Sequence, residues 1–251
     1  MTQTPGARAV ELPGGVMAAW SDASRGDLRP TGHGPADGVP LVVLAGELAE
    51  ATHSWVDKVA WVTQVHGSQV HAVQSEEKAF GLGTDLLHLG EADALVSASS
   101  GVALCVLTAD CAPLALASAE GVFGAVHAGW RGLHAGVVEA AVDRMRGWGA
   151  TEIVGSLGPC IHVECYEFSQ QDLDTVGEVY GDGVRGRTSD SRPALDMSAG
   201  IAAALERSGA RMAPGVDACT ACGDGYFSHR ARRDLGRQAL LVWSTSKTTK
   251  Q

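Results

Sequence analysis

The residues best equipped for chemistry lie between Val102 and Gly132. Leu104-Cys105-Val106-Leu107-Thr108 is an apolar, strand-like run that ends at Ala109-Asp110-Cys111, and strand ends are where reactive groups are often presented. Beyond it, Leu114–Ser118 and Val122–His127 flank Ala119-Glu120-Gly121, which reads as a β-hairpin. A two-residue loop sets Cys111 opposite Ala128, and a three-residue loop sets it opposite His127. Either register is expected to bring thiol and imidazole together at the open end. Opposed residues have Cβ atoms about 5 Å apart, which metal bonds of about 2.0–2.3 Å to S and N can span. Without a metal, the same pair could work as nucleophile and base, with His66 or Asp110 as the third member, as in a cysteine hydrolase acting on an amide.

His66 ends another apolar strand, in Thr63-Gln64-Val65-His66-Gly67. His71 lies five residues on and points to the opposite face of an extended chain, so His66 is the candidate of the two. Taken alone, a strand-end histidine is more often a hydrogen-bonded surface or core group. Ala128-Gly129-Trp130-Arg131-Gly132 opens a helix whose free N–H groups could meet an anion, with Arg131 adding charge. The bland reading of that segment is a tight strand-to-helix turn. Cys160 and Cys165 form a C-x4-C pair, and Cys219 and Cys222 a C-x2-C pair. Together they could hold a structural zinc, but their separation and the lack of a second C-x2-C favour small buried thiols. His33, His53, His88 and His134 are read as surface or structural residues.

The elements that must position these groups are mostly short strands. Val16–Trp20, Leu41–Ala45, Val59–Val65, Ala94–Ser97, Val102–Thr108, Leu114–Ser118, Val122–His127, Ile153–Leu157 and Ala239–Ser244 all read as strands. Helices are expected over Leu133–Met145, Gln170–Val179 and Ser198–Ser208, with Ser169 and either Asp196 or Ser198 as N-caps. Ser24–Val39 and Gly181–Pro193 read as loops, and no repeat or linker divides the chain. Many strands in adjacent runs with few helices point to an α+β fold, a single domain of mixed β-sheets with flanking helices.

Composition narrows the classes. The 251 residues carry a formal net charge of −10, which argues against a nucleic-acid binder but leaves room for a local anion pocket. The most apolar stretch, Val102–Ala117, is broken by Asp110 and Pro113, so no membrane span is expected. Met1–Val10 lacks a basic start followed by an apolar core, so the expected location is cytoplasmic and the six cysteines read as thiols or metal ligands.

Several segments resemble the YfiH-type family, also called the laccase-domain or peptidoglycan-editing-factor family. They are Thr63-Gln64-Val65-His66-Gly67, Ala92-Asp93-Ala94-Leu95-Val96-Ser97, Thr108-Ala109-Asp110-Cys111 and Ala125 to Gly132. Gly158-Pro159-Cys160-Ile161, Cys165-Tyr166-Glu167, Cys219-Thr220, Phe227-Ser228-His229-Arg230 and Gly236-Arg237-Gln238 complete the set, which runs in order over residues 60–243. The resemblance implies a fold shared at a distance with a cytotoxic-necrotizing-factor-like toxin domain. It implies a zinc held by His66, Cys111 and His127. It also implies phosphorolysis of purine nucleosides (adenosine, inosine and methylthioadenosine) with adenosine deamination alongside. The expected partners are therefore a nucleoside and phosphate. The first sixty residues depart from the family pattern: Trp20 to Asp27 stand in place of a Thr-Arg-Gly-Gly-like turn, with Arg25 near the turn arginine, and the chain contains no Asn.

Two imidazoles and a thiolate leave one tetrahedral position open, the pattern of catalytic zinc. A copper-dependent polyphenol oxidase is the weaker reading, because the nine histidines include no His-x-His pair, although such a site could bind copper. A non-catalytic metal-binding module would ordinarily close its site with four ligands.

Overall fold

The structure, a computed structural model, describes residues 2–30, 39–74 and 86–245; His33 and part of the Ser24–Val39 loop lie outside them. In chain order the elements are β1 (Thr2–Thr4), β2 (Ala7–Leu12), β3 (Val16–Ser21), α1 (Val39–Ala51), β4 (Val56–Thr63), β5 (Val70–Val73), β6 (Leu86–Glu91) and β7 (Ala94–Ser97). Then come β8 (Gly101–Thr108), β9 (Ala112–Ser118), β10 (Phe123–Ala128), α2 (Trp130–His134), α3 (Val137–Arg146), β11 (Ile153–Leu157) and α4 (Gln170–Tyr180). β12 (Arg185–Arg187), β13 (Pro193–Leu195), α5 (Met197–Arg207), β14 (Arg211–Ala213), α6 (His229–Arg232) and β15 (Gln238–Ser244) complete the chain.

Two sheets face each other. One runs β1-β2-β3-β15-β8-β4-β6 and the other β14-β11-β9-β10-β7-β5. Pairing is mixed: β4 is parallel to β6 and β8, β5 to β7 and β11 to β14, while the other pairs are antiparallel. Leu104, Val106, Leu240 and Val242 from the first sheet meet Leu95, Ala115, Phe123 and Ala125 from the second. The residues between them point outward: Ala103, Cys105 and Leu241 pack on α1, and Ala94, Leu114 and Val126 pack on α3, α4 and α5. Strands alternate their side chains between faces, so β8 and β10 must be apolar on both, which is why they read as unbroken apolar runs. The expected α+β single domain with flanking helices is thus a helix–sheet–sheet–helix sandwich. Among the described residues no helix is long and apolar enough to cross a membrane.

Several local expectations are corrected. Leu41–Ala45 is helix, not strand: Leu41, Leu44, Ala45, Leu48 and Ala49 are buried at helical spacing, while Val43, Gly46, Glu47 and Glu50 are exposed. A five-residue apolar run does not distinguish the two states; the continuation to Ala49 does. The Leu133–Met145 helix is two, α2 and α3, separated where Gly136 adopts φ 82 and its N–H bonds to the Leu133 carbonyl. Gly181–Pro193 contains a helical turn and β12, which pairs with β13. Ser169 and Asp196 cap α4 and α5 as expected, accepting from Asp172 N and Ala199 N.

Two glycines separate conformational from steric demands. Gly46 is exposed mid-helix with nothing near its missing Cβ, so Gly46→Ala is expected to raise stability by about 0.5–1 kcal/mol. Gly158 lies against the buried Trp20 indole, and a Cβ there would overlap the ring. Gly158→Ala should therefore lower stability by about 1–3 kcal/mol. Urea midpoints of the two variants check both signs.

Candidate metal centre

Three times the chain passes from the first sheet to the second at one end of the sandwich, and each crossing delivers a functional group. Between β4 and β5 it carries His66, between β6 and β7 it carries Asp93, and between β8 and β9 it carries Cys111. His127 comes from the end of β10, beside the second crossing. Two crossings hold non-glycine residues at positive φ, His66 at 61° and Asp110 at 91°. Such conformations cost about 1–3 kcal/mol each and persist only where the surroundings impose them.

At the first crossing, β4 is parallel to β8, and the Gln64 amide prolongs that ladder. Its Nε2 donates to the Leu107 carbonyl (2.7 Å) and its Oε1 accepts from Leu107 N (2.8 Å). The next three backbone N–H groups, of Val65, His66 and Gly67, all donate to the Asp93 carboxylate at 3.3, 2.9 and 2.7 Å. A left-handed residue at His66 turns these N–H groups toward one anion, as in other backbone anion nests. Asp93 is wholly buried, and its Oδ1 also accepts from His127 Nδ1 at 2.8 Å.

Sheet register explains that last contact. Val126 pairs with Ala94 across β10 and β7, so His127 stands opposite Asp93, and His127 N donates to the Asp93 carbonyl at 2.8 Å. The β9–β10 hairpin forms, but not in either expected register. Its turn, with Gly121 at φ 83, sets His127 against Pro113 and Ala112 against Ala128, so Cys111 continues toward Gly129. Cys111 and His127 are diagonal neighbours on one face, not a directly opposed pair. A two-residue loop would have put them on opposite faces.

The three expected ligands do come together. The donor atoms of His66, Cys111 and His127 lie within 4.8 Å of one another, with Cys111 Sγ 3.8 Å from His66 Nε2. The two imidazoles meet edge to face at 4.8 Å between ring centres. Metal bonds of about 2.0–2.3 Å at tetrahedral angles place donors about 3.3–3.6 Å apart, so the set fits one ion after a small contraction. Gly129 leaves the space required: a Cβ there would lie 2.6 Å from His66 Cδ2 and 3.2 Å from Cys111 Sγ. With Nδ1 bound to Asp93, His127 turns Nε2 to the cluster, the usual carboxylate–histidine support of a metal ligand.

Electrostatics bind the group further. Burial tends to raise the pKa of Cys111, but His127 and His66 reverse this and bring it down to about 6. Burial favours neutral His127, yet the Cys111 thiolate and the Asp93 carboxylate raise it to about 9. Burial opposes the Asp93 charge too, and hydrogen bonds from His127, Gly67 and His66 hold its carboxyl below the usual range.

The cluster opens into a cleft of about 550 Å³. Its lining includes Trp61, Thr108, His229, Arg29 and Arg237. Arg131 is not part of that lining and stacks over Trp130, 4.4 Å from the ring centre. Arg25 is also elsewhere, paired with Glu47 at 2.6 Å. Asp110 does not face His127: its carboxylate accepts Thr220 Oγ1 (2.7 Å) and Arg230 N (2.6 Å). The sequence reading missed Asp93 as a functional residue, although the Ala92–Ser97 segment containing it carried the resemblance. An acidic residue immediately before the apolar run Ala94-Leu95-Val96 is the signal that could have found it.

Two measurements test this centre. In metal-free protein, alkylation of Cys111, followed by peptide mapping, should rise through pH 6 or so, well under the ordinary thiol range of about 8.5. The sign follows from the reacting species: thiolate appears as pH rises through its lowered pKa. A midpoint in the ordinary range would mean that His127 does not pair with it. Asp93→Asn should weaken metal binding about 10–100-fold in competition with a chromophoric chelator.

The sequence profile described as multi-copper polyphenol oxidoreductase laccase matches residues 45–245. A purine nucleoside phosphorylase of Streptomyces coelicolor is 40% identical over 209 residues, covering 81% of this chain and 83% of the relative. One from Streptomyces griseus is 38% identical over 210 residues, covering 81% and 82%. The fold superposes on the crystal structure of the Bacillus licheniformis protein YfiH with a TM-score of 0.75 at 21% identity, over 91% of this chain and 92% of that one. The chain therefore belongs to the multi-copper polyphenol oxidoreductase laccase family and has the fold of the YfiH structure.

Proposed function

We propose that this protein is a zinc-dependent purine nucleoside phosphorylase that also deaminates adenosine. The observation that carries the reading is a three-donor cluster opening into a nucleoside-sized cleft, in a chain 40% identical to a protein named purine nucleoside phosphorylase. His66, Cys111 and His127 would hold the metal. When bound, zinc supplies Lewis acidity and lowers the pKa of a water in its open position.

The chain's own residues do the rest. Trp61 offers an aromatic wall for the purine and is backed by His88, 4.4 Å away between ring centres. Trp61 Nε1 and Thr108 Oγ1 have no hydrogen-bond partner among the described residues, and both side chains line the cleft. They would bond polar edges of the nucleoside. Arg237 would hold phosphate: its guanidinium Nη1 is fixed by the carbonyls of Asp234, Leu235 and Gly236, and it makes no ion pair among the described residues. Arg29 flanks it but is neutralised by Asp27, with Nη2 to Oδ2 at 2.6 Å. Phosphate held beside the ribose would attack C1′ while negative charge builds on the departing purine, which His229 and the cluster face. Arg131, on α2, is the alternative anion contact and would act from outside this cleft.

One specific observation favours a second reading. Asp93, His127 and Cys111 align as acid, base and nucleophile, the arrangement of a cysteine hydrolase, with Asp93 in place of His66 or Asp110. Such an enzyme would cleave amides, including those of peptidoglycan precursors, without metal. An oxidase reading has less support: the described residues contain one His–Cys–His group, whereas multicopper chemistry needs several coppers held by many histidines.

Incubation with adenosine and phosphate, resolved by chromatography, separates these. Adenine is expected from phosphorolysis and inosine from deamination. Appearance of neither would sink the proposal. Cys111→Ala and His127→Ala should abolish turnover together with metal binding. Arg237→Met should raise KM for phosphate about 10–100-fold, the loss of one or two charge-assisted hydrogen bonds, with a smaller change for the nucleoside.

A further inference from the structure

Apart from the His–Cys–His group, a second group of ligand-type side chains assembles from two distant segments. Cys165 ends the helical turn Val163–Cys165 that follows β11. Cys219 and Cys222 frame Thr220-Ala221, between β14 and α6. The sulfurs of Cys165, Cys219 and Cys222 and a carboxylate oxygen of Glu164 all lie within 4.8 Å of one another. We propose that these four residues form a structural zinc site, separate from the centre in the cleft.

The backbone is arranged for it. Cys160 N donates to the Ala218 carbonyl (3.2 Å) and Thr220 N to the Cys160 carbonyl (3.0 Å), a one-bridge parallel pairing that lays the two segments side by side. Cys160 itself is buried in the core and takes no part in the group. Cys160 behaves as the small buried thiol expected of all four; Cys219 is buried too but belongs to the group, and Cys165 and Cys222 are not buried. Cys219 is 9% exposed, and Cys222 reaches solvent.

The surroundings are those of ligands. His162 N donates to Cys219 Sγ at 3.4 Å. Glu164 Oε1 lies 3.9 Å from Cys222 Sγ and 3.7 Å from His162 Nδ1, and the far side of that imidazole is 3.5 Å from Asp217. That imidazole therefore sits between the ligand carboxylate and a second acid, at ion-pair distance from both. Three thiolates and a carboxylate complete a tetrahedron, which marks a closed, structural site; the cleft's three donors leave one position open. Soft sulfur donors in tetrahedral array select zinc over magnesium or calcium.

Its role follows from what the two segments hold. Ile161 N donates to the Asp110 carbonyl (2.9 Å), and Thr220 Oγ1 donates to the Asp110 carboxylate (2.7 Å). Asp110 is the strained residue that aims Cys111. Zinc at the second site would staple together the partners that hold Asp110 at positive φ, bracing the turn that carries Cys111.

The metal count is made in a Cys111→Ala background, where the cleft has lost a ligand, so the result does not depend on the catalytic reading. Freshly purified Cys111→Ala should retain about one zinc per chain by native mass spectrometry, and Cys111→Ala/Cys222→Ser should retain none. Cobalt substitution of Cys111→Ala should give an intense thiolate-to-metal charge-transfer band that the double variant lacks. In otherwise wild-type protein, Cys222→Ser should lower the zinc content by one and leave the far-ultraviolet circular dichroism unchanged. Zinc that survives Cys222→Ser in the Cys111→Ala background would overturn the proposal. So would a disulfide among Cys165, Cys219 and Cys222 in freshly purified protein, or a wild-type zinc content that Cys222→Ser leaves unchanged.

Discussion

A single buried carboxylate organises the functional end of this protein. Asp93 accepts hydrogen bonds from three successive backbone N–H groups and from His127. Burying an ion costs several kcal/mol, and hydrogen bonds to a charged group return about 1.5–3 kcal/mol each. The sum is favourable only when most of the bonds form together, so Asp93 ties the His66 loop and the His127 ring into one all-or-none unit. The positive φ of His66 is maintained by that unit, and the tautomer of His127 is decided by it.

The sandwich supplies the setting. The chain crosses from one sheet to the other three times at one end, and irregular backbone collects there because the ladder bonds run out. Those crossings bring His66, Asp93 and Cys111 within reach, while β10 brings His127 in register with Asp93. The covered faces on either side, α1 on one and α3, α4 and α5 on the other, keep the strands fixed so that only the crossings carry polar chemistry. Gly129 has a different duty from the turn glycines: it is needed for the room its missing side chain leaves beside His66 and Cys111.

The family description names an oxidase and the relatives from Streptomyces are named phosphorylases. Ligand chemistry bears on that difference. One Cys and two His donors with a carboxylate-supported imidazole suit a single Lewis-acidic ion, and a cleft lined by Arg237, which makes no ion pair among the described residues, suits an anionic co-substrate better than a phenol.

The sequence by itself determined the inner four strands of each sheet (β3, β15, β8 and β4; β11, β9, β10 and β7) and the caps of α4 and α5, because period and turn residues are local properties. The outer strands β1, β2, β5, β6 and β14 carry too weak a pattern, and His66 was joined to Cys111 and His127 only through the family resemblance. The sequence placed Cys111 beside His127, though for an incorrect register, since the Gly121 turn can close in more than one way and only the packed sheet selects among them. Leu41–Ala45 was ambiguous because five apolar residues satisfy either period until a neighbouring sheet covers one face. The role of Asp93, the displacement of Arg131 and Arg25 from the cleft in favour of Arg29 and Arg237, and the meeting of Cys165 with Cys219 and Cys222 were decided by tertiary structure alone. Each depends on groups distant in sequence, brought together by sheet crossings whose positions no local pattern encodes.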